Sequence, residues 1–278
     1  MAGVLNCLCY IERLQKMEKE KGILIVSYGS SYKEAREKSI GGIENAIAKA
    51  FPEYNVYRAF TSMSIVERIW EKEGYRVDSI EEALERALAD GVCKMVIIQT
   101  HLVKGIRYDA MERAVASYKE RFEELRVAEP VLSIDANSSA FAEGLADIGA
   151  SYDDGKTAVC FVGHGIDEDT GSAYRILQCH LSDKGHENYY VGTLSMKPTC
   201  DDLVKEIQKK REVQRVILVP LMLVAGYHVR KDLIGTSEKS WVNIFKKAGF
   251  EVESVKSGLG EEKFVQNIFV DYLKNVIL

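Results

Sequence analysis

The 278-residue sequence contains no run approaching the ~18–20 apolar residues a helix needs to cross a bilayer, which excludes a helical membrane span. It has no excess of positive charge. Its 37 Lys and Arg against 42 Asp and Glu leave a net charge of -5. That balance argues against a general nucleic-acid binder, because neutralising phosphates needs a basic surface. An anionic small ligand is not excluded, since it responds to local charge in a cleft. Neither G-x-G-x-x-G nor G-x-x-x-x-G-K-[ST] occurs, so nucleotide binding has no motif behind it.

Cysteine is sparse and unpatterned. The six, at 7, 9, 93, 160, 179 and 200, include no C-x-x-C, so free thiols in a reducing, cytoplasmic compartment are expected rather than a disulfide framework. Cys7 and Cys9 form a lone C-x-C, which is too few ligands for a closed metal site. Residues 1–16 carry no basic n-region and no small-residue cleavage site. Residues 1–20 are therefore expected to be an N-terminal extension ahead of the folded protein.

What is present is an ordinary globular mixture, with 46% apolar and 28% charged residues. Short β-rich runs alternate with helix-period stretches, the pattern of a parallel sheet covered on both faces. Strands are predicted at 23–28, 56–60, 94–100, 157–162, 189–193 and 215–223. Several are unbroken apolar runs, such as RVILVPLML, as expected for strands buried on both sides. Helices are predicted at 32–51, at 79–90 from the capping box of Ser79 and Glu82, at 199–211 from Thr199 and Asp202, and at 264–276.

An internal repeat organises these elements. VCKMVIIQTHLVKGIR (92–107) lies over VQRVILVPLMLVAGYH (213–228) without a gap, placing Gly105 on Gly226 and Arg107 on His228. ILIVSYGSS, with Gly29, matches TAVCFVGHG, with Gly163. The fold expected is α/β, with two similar lobes, each a parallel sheet flanked by helices, at 21–135 and 136–278. Segments 133–139 and 151–156 supply loop composition at the junction.

Ligands of open parallel sheets bind beyond the C-terminal strand ends, so the functional rim should comprise Gly29-Ser30-Ser31, His101 to Arg107, Gly163-His164-Gly165 and Gly226-Tyr227-His228. His164, between two glycines, is the sharpest candidate, as metal ligand, proton acceptor or phosphorylated residue. A capped or buried histidine is the plain alternative. His228 occupies the matching rim of the second lobe, with a surface loop histidine as its plain alternative. Two such imidazoles can share one divalent first-row ion in an open site. His101 reads equally as a functional or a packed core histidine. Ser30 and Ser31 read first as N-caps of the following helix and second as a small anion cradle.

SYGSSYKEAREKSI, RAFTS (58–62), QTHLVKG, GHG (163–165) and LMLVAGYHVRKDL (222–233) together resemble the anaerobic sirohydrochlorin cobaltochelatases of the CbiK type, in family order from about residue 21 onward. The resemblance implies a class II chelatase fold with a tetrapyrrole between the lobes. It implies insertion of Co²⁺ into sirohydrochlorin or factor II on the anaerobic route to cobalamin, with His164 and His228 as metal-binding and catalytic residues. Fe²⁺ and Ni²⁺ stay open, because imidazole serves several first-row ions. No organic cofactor is implied, and a homo-oligomer is left open. Ser30, Ser31, His101, Arg107, Tyr108 and Arg230 are expected to contact substrate. Arg58, Lys104, Arg107, Arg230 and Lys231 could pair with its carboxylates. Two family acids are replaced here: Arg107 stands in the G-E-E-Y segment, and Ser195 in G-T-V-E. The alternatives are a non-catalytic tetrapyrrole or metal binder on this fold, and an unrelated enzyme using His164 as nucleophile or base.

Overall fold

The computed structural model describes residues 20–165 and 168–277, with the backbone alone for 168–170. The expected N-terminal extension, with Cys7 and Cys9, lies outside the described residues apart from residue 20. Two four-stranded, all-parallel sheets account for the strands. The first contains β1 (Lys21–Ser27), β2 (Asn55–Phe60), β3 (Lys94–Gln99) and β4 (Glu124–Val127) in the order β2-β1-β3-β4. The second contains β5 (Thr157–Gly163), β6 (Tyr189–Thr193), β7 (Arg215–Pro220) and β8 (Glu251–Ser254) in the order β6-β5-β7-β8. The two orders are one topology written twice, as the repeat requires.

Parallel neighbours need crossover connections, and helices supply them. These are α1 (Lys33–Ala50), α2 (Met63–Glu73), α3 (Ile80–Ala89), α4 (Ile106–Ala116), α5 (Asp135–Ala150), α6 (Glu168–Asp183), α7 (Cys200–Ile207), α8 (Trp241–Lys247) and α9 (Lys263–Lys274). Ser79 Oγ accepts the Glu82 N–H at 3.2 Å, and the Ser79 N–H donates to Glu82 at 2.9 Å, so the predicted capping box opens α3. Thr199 and Asp202 open α7 in the same way.

Alternate residues of the strands feed separate cores. Leu24, Val26, Met95 and Ile97 pack with Ala83 and Leu84 of α3 and Met111 and Val115 of α4. Ala158, Cys160, Val216 and Leu218 pack with Leu203 of α7 and Trp241 and Phe245 of α8. The opposite faces of both sheets share one core: Ile23, Ile25 and Val96 join Val159, Phe161 and Ile217 through Ile43 and Ile47 of α1, Phe141 of α5, Leu177 of α6 and Phe269 of α9. Each fully buried side chain of this size contributes roughly 1.5–3 kcal/mol. The shared core fixes the two sheets against each other, so their C-terminal rims meet at a defined geometry. The last helix, α9, packs back on α1 of the first sheet.

Several sequence expectations change. The strand predicted at 215–223 ends at Pro220, after which Leu221 to Val224 turn toward the rim. Residues 133–139 are no loop, because α5 begins at Asp135. Its Ala- and Gly-rich face is buried against neighbouring helices, and tertiary packing overrides the polar composition. Strands β4 and β8 escaped prediction because they are short, partly exposed edge strands. No helix among the described residues is long and apolar enough to cross a membrane. Cys93, Cys160, Cys179 and Cys200 are free thiols.

Candidate active site

The two histidines meet. His164 follows β5 and His228 follows the turn after β7, and β5 and β7 are hydrogen-bonded neighbours. This is the point where the strand order of the second sheet reverses direction, the crevice that open α/β sheets reserve for ligands. The ring centroids lie 4.4 Å apart with an interplanar angle of 82°. An edge-to-face pair at that distance brings imidazoles from two chain segments into contact.

Each histidine is held by its own local device. Gly165, just after His164, has a φ of +68°, and a Cβ there would lie 2.5 Å from Thr193 Oγ1, so only glycine fits. The carbonyl of His164 accepts the Ser195 N–H at 3.1 Å, and that of Gly163 accepts the Leu194 N–H at 3.0 Å. The segment after β6 thus clamps the histidine loop. Ser195 does so through its backbone N–H.

His228 stands at the start of a π-helical turn, Val229–Leu233, whose Val229 and Leu233 are buried anchors. Such turns recur at functional sites. Its Nδ1 lies 2.7 Å from Asp232 Oδ2 one turn on. With Nδ1 engaged, Nε2 is left to face a ligand, the arrangement in which a carboxylate orients a metal-binding imidazole. Asp232 was missed from the sequence, although H-V-R-K-D carries the i,i+4 signal.

Electrostatics keep His164 neutral. Burial, then the neighbouring His228, then the Arg107 guanidinium depress its pKa below the usual imidazole value, against a smaller opposing pull from Asp232. Its Nδ1 is buried without a hydrogen-bond partner. A neutral imidazole can ligate a cation or accept a proton.

His101, after β3, is partly exposed as a residue, yet both ring nitrogens are out of solvent and unpartnered. Burial, and secondarily Arg107, push its pKa down to about 4. Among the described residues, no group of three or more His, Cys, Asp or Glu side chains converges as a metal cage. His180 lies 3.3 Å from Asp135, and His186 stacks on Tyr189, away from the rim.

The remaining candidates divide. Arg107, at the start of α4, stacks its guanidinium over the Tyr28 ring at 4.1 Å. Arg230 stacks over Tyr32 at 4.6 Å, reaching from the second lobe to the head of α1. Lys231 Nζ donates to the Tyr227 hydroxyl at 2.6 Å. Tyr108, expected to contact substrate, instead packs in the core between α3 and α4, 4% exposed, with its hydroxyl donating to Glu112 at 3.1 Å. The helix begun at Ile106 turns it inward. Arg58 is committed to Glu44 through two guanidinium nitrogens, and Lys104 lies over the Tyr108 ring.

Ser30 is no N-cap: α1 is preceded by Tyr32, and buried Ser30 Oγ accepts the Tyr32 N–H at 3.3 Å within its own turn. Its carbonyl accepts from buried Arg36 at 3.0 Å. Ser31, half-buried beside it, makes no side-chain cap either. A Cβ on Gly226 would lie 3.7 Å from Ser30 Oγ, so the rim loops of the two lobes touch. A cavity of about 430 Å³ between α5 and the ends of β7 and β8 has neither His164 nor His228 in its lining.

Residues 21–278 match the family model described as cobalt chelatase (CbiK). The chain belongs to the cobalt chelatase (CbiK) family. It is 30% identical over 258 residues to a sirohydrochlorin cobaltochelatase of Salmonella typhimurium, covering 93% of this chain and 97% of that protein. It is 27% identical to the sirohydrochlorin cobaltochelatase CbiKC of Nitratidesulfovibrio vulgaris, covering 91% and 89%. Among solved structures, SirB from Bacillus subtilis with Fe³⁺ superposes with a TM-score of 0.67 at 17% identity, over 93% of this chain and 96% of that one. That likeness establishes the class II chelatase fold, and membership of the cobalt chelatase family implies a divalent metal ion as a substrate.

Proposed function

We propose that this protein inserts Co²⁺ into sirohydrochlorin, or the closely similar factor II, and that His164 and His228 are the residues that hold the ion and accept protons. The carrying observation is the edge-to-face His164–His228 pair, 4.4 Å between centroids at the strand-order switch point, in a cobalt chelatase family chain. Sirohydrochlorin is the substrate in the names of the two relatives. On this reading the lobes run from 21 to 135 and 136 to 278, with 1–20 as an extension.

The chemistry follows from the donor set. Insertion needs a partly dehydrated divalent ion, a deformed macrocycle, and acceptors for two pyrrole protons. Two imidazoles with water in the remaining positions bind the ion and still let it go, as a closed thiolate cage would not. The depressed pKa of His164 keeps a lone pair available at neutral pH. Asp232 holds the ring of His228. The substrate is polyanionic, and Arg230 and Lys231, on the same turn as Asp232, place positive charge beside the histidines. Ser30 lines the facing loop and His101 the inner wall of the first lobe.

The test is the absorbance change of sirohydrochlorin on adding Co²⁺, Ni²⁺ or Fe²⁺ with purified protein. Co²⁺ is expected to be the fastest, and His164→Ala and His228→Ala are each expected to abolish catalysed insertion. Unchanged rates in both variants would overturn the histidine assignment. Tight tetrapyrrole binding without insertion above the uncatalysed rate would return the non-catalytic reading.

A further inference from the structure

The two lobes offer equivalent crevices and equip them oppositely. In the second, His164 follows β5 and His228 follows β7. In the first, the repeat sets Ser30 on His164 and Arg107 on His228, and the strands they follow, β1 and β3, are likewise hydrogen-bonded neighbours at the reversal of strand order. Arg107 reaches across that switch point to Tyr28, just after β1, with its guanidinium carbon over the ring 4.1 Å from the centroid. Where one lobe holds an imidazole pair, the other holds a fixed cation on an aromatic platform.

A guanidinium held over a ring by cation–π attraction, with no carboxylate partner, keeps N–H donors for a ligand. Among the described residues no carboxylate pairs with Arg107 in a hydrogen bond or ion pair, whereas the other first-lobe rim arginine, Arg58, is consumed by Glu44. Arg107 and Tyr28 are both exposed, so the donors are accessible. Arg107 also acts electrostatically on both His164 and His101.

We infer that the Tyr28–Arg107 pair is a carboxylate clamp, occupying in the first lobe the place that the metal histidine His228 occupies in the second, so that the first lobe grips a side-chain carboxylate of the tetrapyrrole while the ion is held by the second lobe alone. The inference deepens the chelatase reading and rests on it for the identity of the anion. Arg107 determines affinity and orientation of the macrocycle. Tyr28 positions Arg107.

The experiment is titration of metal-free sirohydrochlorin into wild type, Arg107→Ala, Arg107→Lys, Tyr28→Phe and Tyr28→Ala, paired with insertion kinetics in both substrates. Arg107→Ala is expected to weaken sirohydrochlorin binding and raise its KM about tenfold or more, the size of one lost charge-assisted contact. The Co²⁺ concentration for half-maximal rate should not rise. Arg107→Lys should recover part of the binding, Tyr28→Phe nearly all of it, and Tyr28→Ala little. Binding within twofold of wild type in Arg107→Ala, or a loss confined to Co²⁺ dependence, would overturn the clamp. The two readings fail separately: Arg107-dependent binding without insertion keeps the clamp and removes the chelatase, and histidine-dependent insertion indifferent to Arg107 does the reverse.

Discussion

Asp232 Oδ2 stands 2.7 Å from Nδ1 of His228, one turn further along the same π-helical turn. The carboxylate engages Nδ1 and restrains the ring, leaving Nε2 for a ligand. Losing such an outer partner typically costs 10–100-fold in metal affinity or activity. Asp232→Asn should therefore lower Co²⁺ insertion by about tenfold, and Asp232→Ala by more. Both should leave metal-free sirohydrochlorin binding close to wild type. Insertion rates at saturating tetrapyrrole and varied Co²⁺ check it; wild-type rates in both variants would remove Asp232 from the site.

His164 should titrate below the ordinary imidazole range. Burial contributes most, followed by His228 and Arg107. Protonation, which removes the lone pair, therefore comes at lower pH than for an ordinary imidazole. Imidazole NMR resonances assigned with a His164→Gln variant should show this. In Arg107→Gln one cation is gone, and the midpoint should move up toward 6.5. A wild-type midpoint above 6.5 would contradict the electrostatic picture.

His101 couples the same burial to stability. Its folded pKa of about 4 lies below the unfolded value near 6.5. The unfolded chain therefore takes up a proton first as pH falls. Stability is unaffected above pH 6.5 and is lost progressively between 6.5 and 4, by at most about 3 kcal/mol. Urea unfolding at pH 7 and pH 4.5 should show a steeper acid loss in wild type than in His101→Leu. Equal losses would mean the ring is more hydrated than the structure places it.

Gly165 is the backbone element on which His164 depends. An alanine there must adopt a φ of +68° and bring its Cβ to 2.5 Å from Thr193 Oγ1. Strain of this kind costs on the order of 1–3 kcal/mol. Gly165→Ala should lower the denaturation midpoint and reduce insertion together. Adding Thr193→Ala should restore little, because Thr193 Cβ itself would lie 2.6 Å from the new methyl and the backbone angle stays strained. A Gly165→Ala protein as stable and active as wild type would show that the loop rearranges freely.

Much of this protein was legible in one dimension, for reasons that are local. Continuous apolar runs identify strands buried on both faces, and the buried β1, β3, β5 and β7 lie where those runs fall. Ser79 with Glu82, and Thr199 with Asp202, set helix starts through contacts three residues apart. The repeat is chemical similarity along the chain, and it puts His164 and His228 at strand ends equivalent to those that carry Ser30 and Arg107. Edge strands β4 and β8, and the helix at Asp135, depend on what packs beside them, and composition misled there.

Only the tertiary structure decided how the rim is divided. Helix α4 begins at Ile106, and that phase sends Arg107 out over Tyr28 and Tyr108 inward to the core, although the two are adjacent in sequence. The shared core of both sheets brings Gly226 against Ser30, and the β5–β7 pairing sets His164 beside His228. The sequence by itself determined which residue types reach the strand ends, because alternation and repeat are properties of the chain. Which of them face one another was settled by packing, because it depends on helix phase and sheet register across more than sixty residues of intervening chain.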